Sequence, residues 1–160
     1  MSCSPSAAAV KKIDGIIAPY PEKSAALLPV LRVVQDELGC VPPEAETWVA
    51  AKLGIQPIRI REVLSFYTMF RRRPAGKTII QVCRNLSCTL AGAEDIIGFL
   101  KERLHVGPDG TTPDGRITLV TVECLGHCDH SPCLQIDGID HGPVTRDGVA
   151  ALLEELRAHE

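Results

Sequence analysis

Apolar residues recur every three or four positions in the first part of this chain and alternate more closely after it. Leu27, Val30, Leu31, Val34 and Leu38 fall on one face of a helix, and Gly39 stands where that helix should stop. Pro29 is compatible with it only near its start, where a missing backbone donor costs little. Pro43 opens a second helix, with Glu44 and Glu46 in its first turn, Ala45, Val49 and Leu53 inward, and Gly54 after its end. Pro57 opens a third, with Ile60, Val63, Leu64 and Tyr67 inward. Residues 1–12 read as a flexible tail of Ser, Ala and Pro followed by Lys11-Lys12, and residues 13–74 as an N-terminal helical bundle. These helices suggest packing rather than chemistry.

A composition shift at Arg71-Arg72-Arg73-Pro74-Ala75-Gly76 marks the boundary to a second domain over residues 75–160. Thr78 to Val82 reads as a strand running straight into Cys83. Leu90, Ala93, Ile97, Leu100 and Leu104 predict a helix with Thr89 as its N-cap. Ile117 to Val122 is a second strand, running into Glu123-Cys124. Leu134-Gln135-Ile136, Asp137-Gly138 and Ile139 predict a tight hairpin. Val149, Leu152, Leu153 and Leu156 predict a closing helix. The order β-α-β-β-β-α makes the chain α+β, a helical bundle followed by an α/β domain.

This order puts Cys83-Arg84-Asn85-Leu86-Ser87-Cys88 and Cys124-Leu125-Gly126-His127-Cys128 just past two strand ends, where loops gather on one edge of a sheet. With seven cysteines, an odd number, the chain is not a full disulfide framework. No cationic, apolar leader is evident at the start. Clustered cysteines in a reducing, cytoplasmic setting point to metal or redox chemistry.

Cysteine binds metal as thiolate, so four of them need a polycation. Tetrahedral zinc and a [2Fe–2S] core both satisfy that need. Zinc knuckles usually leave two residues between ligands; here the gaps are four and three, which suits a larger object with each pair holding one iron. Buried, unligated thiols are the bland alternative. It fits loops rich in Gly, Asn, Ser and His poorly. Cys3 lies in the tail, Cys40 follows a helix stop, and Cys133 reads as a packing residue leading into a strand.

Ala26-Leu27-Leu28-Pro29, Ser65 to Phe70, Val82-Cys83 through Cys88, Thr112-Pro113-Asp114-Gly115 and Val122-Glu123-Cys124 through Cys128 together resemble the thioredoxin-like [2Fe–2S] family, from Pro21 to the C-terminus. Its best-known members are the small E-type subunits of NADH:quinone oxidoreductase, respiratory complex I. The resemblance implies a thioredoxin-like domain with the cluster on Cys83, Cys88, Cys124 and Cys128. It implies electron transfer within an NADH dehydrogenase, beside a flavoprotein subunit carrying FMN, a [4Fe–4S] cluster and the NADH site, and a larger iron–sulfur subunit. Related subunits serve NAD-linked formate dehydrogenases and bidirectional or bifurcating hydrogenases. The implied location is cytoplasmic, peripheral to the membrane through the complex. His127 stands where the family usually has a small residue. Ser131 and Cys133 stand where a small and an aliphatic residue are usual.

Several classes are disfavoured. The net charge of −3 offers no basic footprint for nucleic acid. The apolar runs are too short for direct membrane insertion. No Gly-rich nucleotide motif is present, so the chain has no NADH site of its own. No catalytic constellation stands out, and His105, His130, His141 and His159 read as surface or turn residues. Arg71-Arg72-Arg73 reads as a solvated run, with docking to an acidic partner as the minority reading. A zinc-stabilised interaction module and a thiol–disulfide oxidoreductase remain as alternatives. The latter lacks the C-x-x-C spacing of that chemistry.

Overall fold

The computed structural model describes residues 5–107 and 110–158. The chain divides between Pro74 and Ala75 into two compact units.

The first unit is helical: α1 (Ala7–Ile17), α2 (Leu27–Leu38), α3 (Pro43–Leu53) and α4 (Pro57–Phe66). Pro43 and Pro57 occupy first-turn positions, where their missing N–H is no loss. Gly39 and Gly54 end α2 and α3 in the left-handed region, at φ 75° and 70°. Val30, Leu31, Val34, Val41, Val49 and Ile60 form a buried core. Residues 7–12, expected in a flexible tail, are instead the first turns of α1. Ser6 caps that helix by accepting from the Ala9 amide, and Ile13 and Ile17 anchor it in the core. Cys3 lies outside the described residues, as does His159.

Arg71-Arg72-Arg73 is not simply solvated. The Gln35 side chain donates to Met69 O at 2.9 Å and accepts from Arg71 N at 2.6 Å. Arg72 and Arg61 both reach the buried Glu46 carboxylate, at 2.8 and 3.2 Å. Replacing Glu46 by Ala leaves two guanidinium groups facing each other. The expected loss is about 1.5–3 kcal/mol, the range for hydrogen bonds to charged groups. Chemical denaturation followed by Trp48 fluorescence checks this, since Trp48 is the single tryptophan and sits in α3.

The second unit holds β1 (Thr78–Cys83), α5 (Leu86–Leu90), α6 (Ala93–Leu104), β2 (Ile117–Val122), β3 (Leu134–Ile136), β4 (Ile139–His141) and α7 (Arg146–Ala158). Its sheet has the order β2-β1-β3-β4. β1 and β2 are parallel and in register from Thr78↔Ile117 to Cys83↔Val122, so both strands end on one edge. β3 runs antiparallel to β1 with Val82↔Leu134, which starts it at that same edge. Asp137 and Gly138 make the expected hairpin turn, both at positive φ. Ile80, Val82, Leu119 and Leu134 pack with Ile97 and Leu100 of α6 and with Val149 and Leu153 of α7.

In the second unit one local expectation fails. Thr89 does not cap the long helix. Gly92, at φ 96°, separates α6 from the short α5, which leaves Leu90 exposed and Thr89 donating to Arg84 O. Among the described residues no helix is long and apolar enough to cross a membrane.

Candidate metal centre

The first ligand loop leaves β1 at Cys83 and turns at once into α5. Asn85 starts that helix by accepting from the Leu86 amide at 2.8 Å. One helical turn then carries Cys88 back beside Cys83, and both side chains are buried. This differs from the sequence expectation of loop cysteines: Cys83 closes a strand and Cys88 sits inside a helix.

The second loop leaves β2 and reverses at Gly126, whose φ of 82° suits glycine. That reversal aims the Gly126 amide at Cys124 Sγ, 3.3 Å away. Cys124 Sγ and Cys128 Sγ lie 3.4 Å apart, both exposed.

The two loops are tied together. Arg84, next to Cys83, pairs with Glu123, next to Cys124, at 2.9 Å. Asn85 donates to the same carboxylate at 3.2 Å, and the Arg84 amide donates to Val122 O at 2.9 Å. This solvent-exposed pair adds little stability but fixes which residues meet. The Leu125 amide of the second loop reaches the Cys83 sulfur, and Ser87 of the first reaches Cys128. Both cysteine pairs therefore follow strands that end at one sheet edge.

The sulfurs differ in how readily they ionise. Burial pushes the Cys83 thiol up. Burial would raise Cys88 as well, but the Cys133 amide and the Cys83, Ser131 and Cys133 side chains outweigh it and hold the thiol below its usual value. The neighbouring Cys124 raises Cys128. Metal binding must displace these protons, and amides aimed at sulfur favour the thiolate form that remains.

Sequence reasoning placed Cys133 apart from the site. In the structure its sulfur joins those of Cys83 and Cys88, all within 4.8 Å of one another. Burial pushes its thiol up to about 12, so it keeps its proton at neutral pH. Its placement follows from the strand register: β3 antiparallel to β1, with Val82↔Leu134, puts the residue before Leu134 opposite Cys83. The His127 ring stacks on His130, with centroids 4.5 Å apart. Cys40 is buried in the first unit, away from these cysteines in sequence.

A dense set of thiols with inward-aimed amides fits an iron–sulfur core. The donor set is all sulfur, arranged as one buried and one exposed pair.

Comparison with known proteins agrees. The chain is 38% identical over 150 residues to the second E-type subunit of NADH-quinone oxidoreductase from Rhizobium meliloti, covering 94% of this chain and 89% of that protein. It is 42% identical over 135 residues to the E-type subunit of the Pseudomonas aeruginosa NADH-quinone oxidoreductase, covering 84% and 81%. It is 41% identical over 149 residues to NADH-quinone oxidoreductase subunit 2 of Thermus thermophilus, covering 91% and 82%. Its fold is similar to part of an NAD+-reducing [NiFe]-hydrogenase, with a TM-score of 0.71 at 22% identity over 83% of this chain and 23% of that one. Residues 13–157 match the family description "Thioredoxin-like [2Fe-2S] ferredoxin". The chain, α+β with Cys83, Cys88 and Cys133 clustered at one sheet edge, belongs to the thioredoxin-like [2Fe-2S] ferredoxin family, whose cofactor is a [2Fe–2S] cluster.

Proposed function

We propose that this chain is an electron-transfer subunit of an NADH:quinone oxidoreductase, with its [2Fe–2S] cluster held by Cys83, Cys88, Cys124 and Cys128. The observation that carries the reading is the meeting of two cysteine pairs at the parallel ends of β1 and β2, in a chain 38–42% identical to subunits of that complex. When bound, the cluster supplies one-electron redox chemistry. The buried Cys83 and Cys88 and the exposed Cys124 and Cys128 would hold it, the exposed pair lying where a partner can approach. The Gly126, Leu125 and Cys133 amides stabilise negative charge on the sulfurs. Arg84 and Glu123 keep the two loops in register.

The sequence has no dinucleotide-binding glycine motif, so hydride chemistry falls to a partner. In this reading the partner is a flavoprotein subunit with FMN, a [4Fe–4S] cluster and the NADH site, within a complex that also holds a larger iron–sulfur subunit. The complex would place the chain on the cytoplasmic side, peripheral to the membrane. Purification from the native host tests this. Flavoprotein and quinone-reductase chains should co-purify, and NADH should bleach the cluster absorbance in the complex but not in the isolated chain. Co-purification with hydrogenase or formate dehydrogenase chains would reassign the complex while keeping the role of carrier. Bleaching of the isolated chain by NADH would contradict the division of labour.

A further inference from the structure

Cys133 touches both members of the buried cysteine pair. Its carbonyl accepts from the Cys83 amide at 3.2 Å. Its amide donates to the Cys88 sulfur. Its Sγ lies 3.6 Å from Cys88 Sγ, and neither side chain reaches solvent. The topology explains this placement. β3 runs antiparallel to β1 with Val82↔Leu134, so Cys133 enters the sheet edge where Cys83 leaves it.

A metal-bound Cys88 is a thiolate, which only accepts hydrogen bonds. Besides Cys83, itself a proposed ligand, two side chains stand beside it. Ser131 Oγ is 3.6 Å away, but its proton goes to Cys128 O at 2.8 Å. The Cys133 thiol has a proton to give. It stands 3.6 Å from Cys88 Sγ, with both side chains closed off from solvent, so no water competes for the contact.

We propose that Cys133 is a positioning residue that donates its S–H to Cys88 Sγ and so sets the reduction potential of the cluster. This rests on Cys88 being a ligand. Reduction adds negative charge that spreads onto the ligand sulfurs, and a hydrogen bond at one of them strengthens as that charge grows. The thiol therefore favours the reduced state and raises the potential. The amide of residue 133 makes its own bond whatever the side chain, so a side-chain substitution isolates the thiol.

The test is an EPR-monitored redox titration of the full chain, purified with its cluster, as wild type, Cys133→Val, Cys133→Ala and Cys133→Ser. Val and Ala remove the donor and should lower the potential. At a fixed poise the ratio of reduced to oxidised protein should fall by up to about tenfold, which is about 59 mV for one electron. Ser keeps a donor and should recover most of the loss. If Val does not load, the Ala and Ser proteins carry the same contrast. Equal potentials in all proteins, a rise in the Val and Ala proteins, or a Ser protein that behaves as Ala would overturn the proposal. Loss of the cluster from all three would also overturn it, because Cys133 would then be needed to hold the cluster. Failure of the underlying reading shows separately, as wild-type protein without iron and sulfide.

Discussion

Alanine at Cys83, Cys88, Cys124 or Cys128 is expected to reduce bound iron from about two per chain to near none after purification. In the proposed site each cysteine would supply one of four thiolates, and an iron that loses one would be open to water and exchange. The loss should be fastest for Cys124 and Cys128, which are already exposed. It should be slower for Cys83 and Cys88, which are shielded. Alanine at Cys3, Cys40 or Cys133 should leave iron and sulfide content unchanged. Colorimetric iron and sulfide assays on each variant check the set. Full retention in the Cys128→Ala protein with loss in Cys133→Ala would reassign the second pair.

A single methyl group at Gly142 is expected to do nearly as much damage. A Cβ there would overlap the His130 carbonyl oxygen and approach both the His130 and Cys133 Cβ atoms at 3.1 Å. His130 ends the turn that begins at Cys128, and Cys133 backs the buried pair. The nearest obstacle is a backbone oxygen and the other two are Cβ atoms fixed to the backbone, so the turn must shift. Overpacking of this kind costs about 1–3 kcal/mol, and here the strain falls on the exposed sulfurs. Gly142→Ala should therefore show both a lower melting temperature and poorer iron retention. Gly98 offers the contrast. It lies inside α6, and a methyl group placed there would meet nothing within 4 Å, so Gly98→Ala should gain roughly 0.5–1 kcal/mol through helix propensity alone. A Gly142→Ala protein as stable and as iron-rich as wild type would show that the turn tolerates displacement.

Much of the fold was legible because single residues punctuate it. Pro43, Pro57, Gly39 and Gly54 mark the ends of α2, α3 and α4 where the structure has them. The period change at Thr78 and the Asp137-Gly138 turn locate the sheet. Of the candidate centre, the common edge of the two cysteine pairs followed from strands running straight into them. The misses share a physical cause: they depend on contacts between positions distant in sequence. Residues 7–12 look like a tail because Ser and Ala carry little apolar signal, yet Ile13 and Ile17 pull the helix into the core. Arg72 looks solvated until Glu46 is seen buried beneath it. The Arg84–Glu123 pair and the placement of Cys133 need the strand register, which the local pattern does not contain.

The most direct test of the account is elemental and spectroscopic analysis of anaerobically purified protein. About two irons and two acid-labile sulfides per chain, with an EPR signal of an odd-electron centre after dithionite reduction, is the predicted result. Stoichiometric zinc with no inorganic sulfide would contradict it.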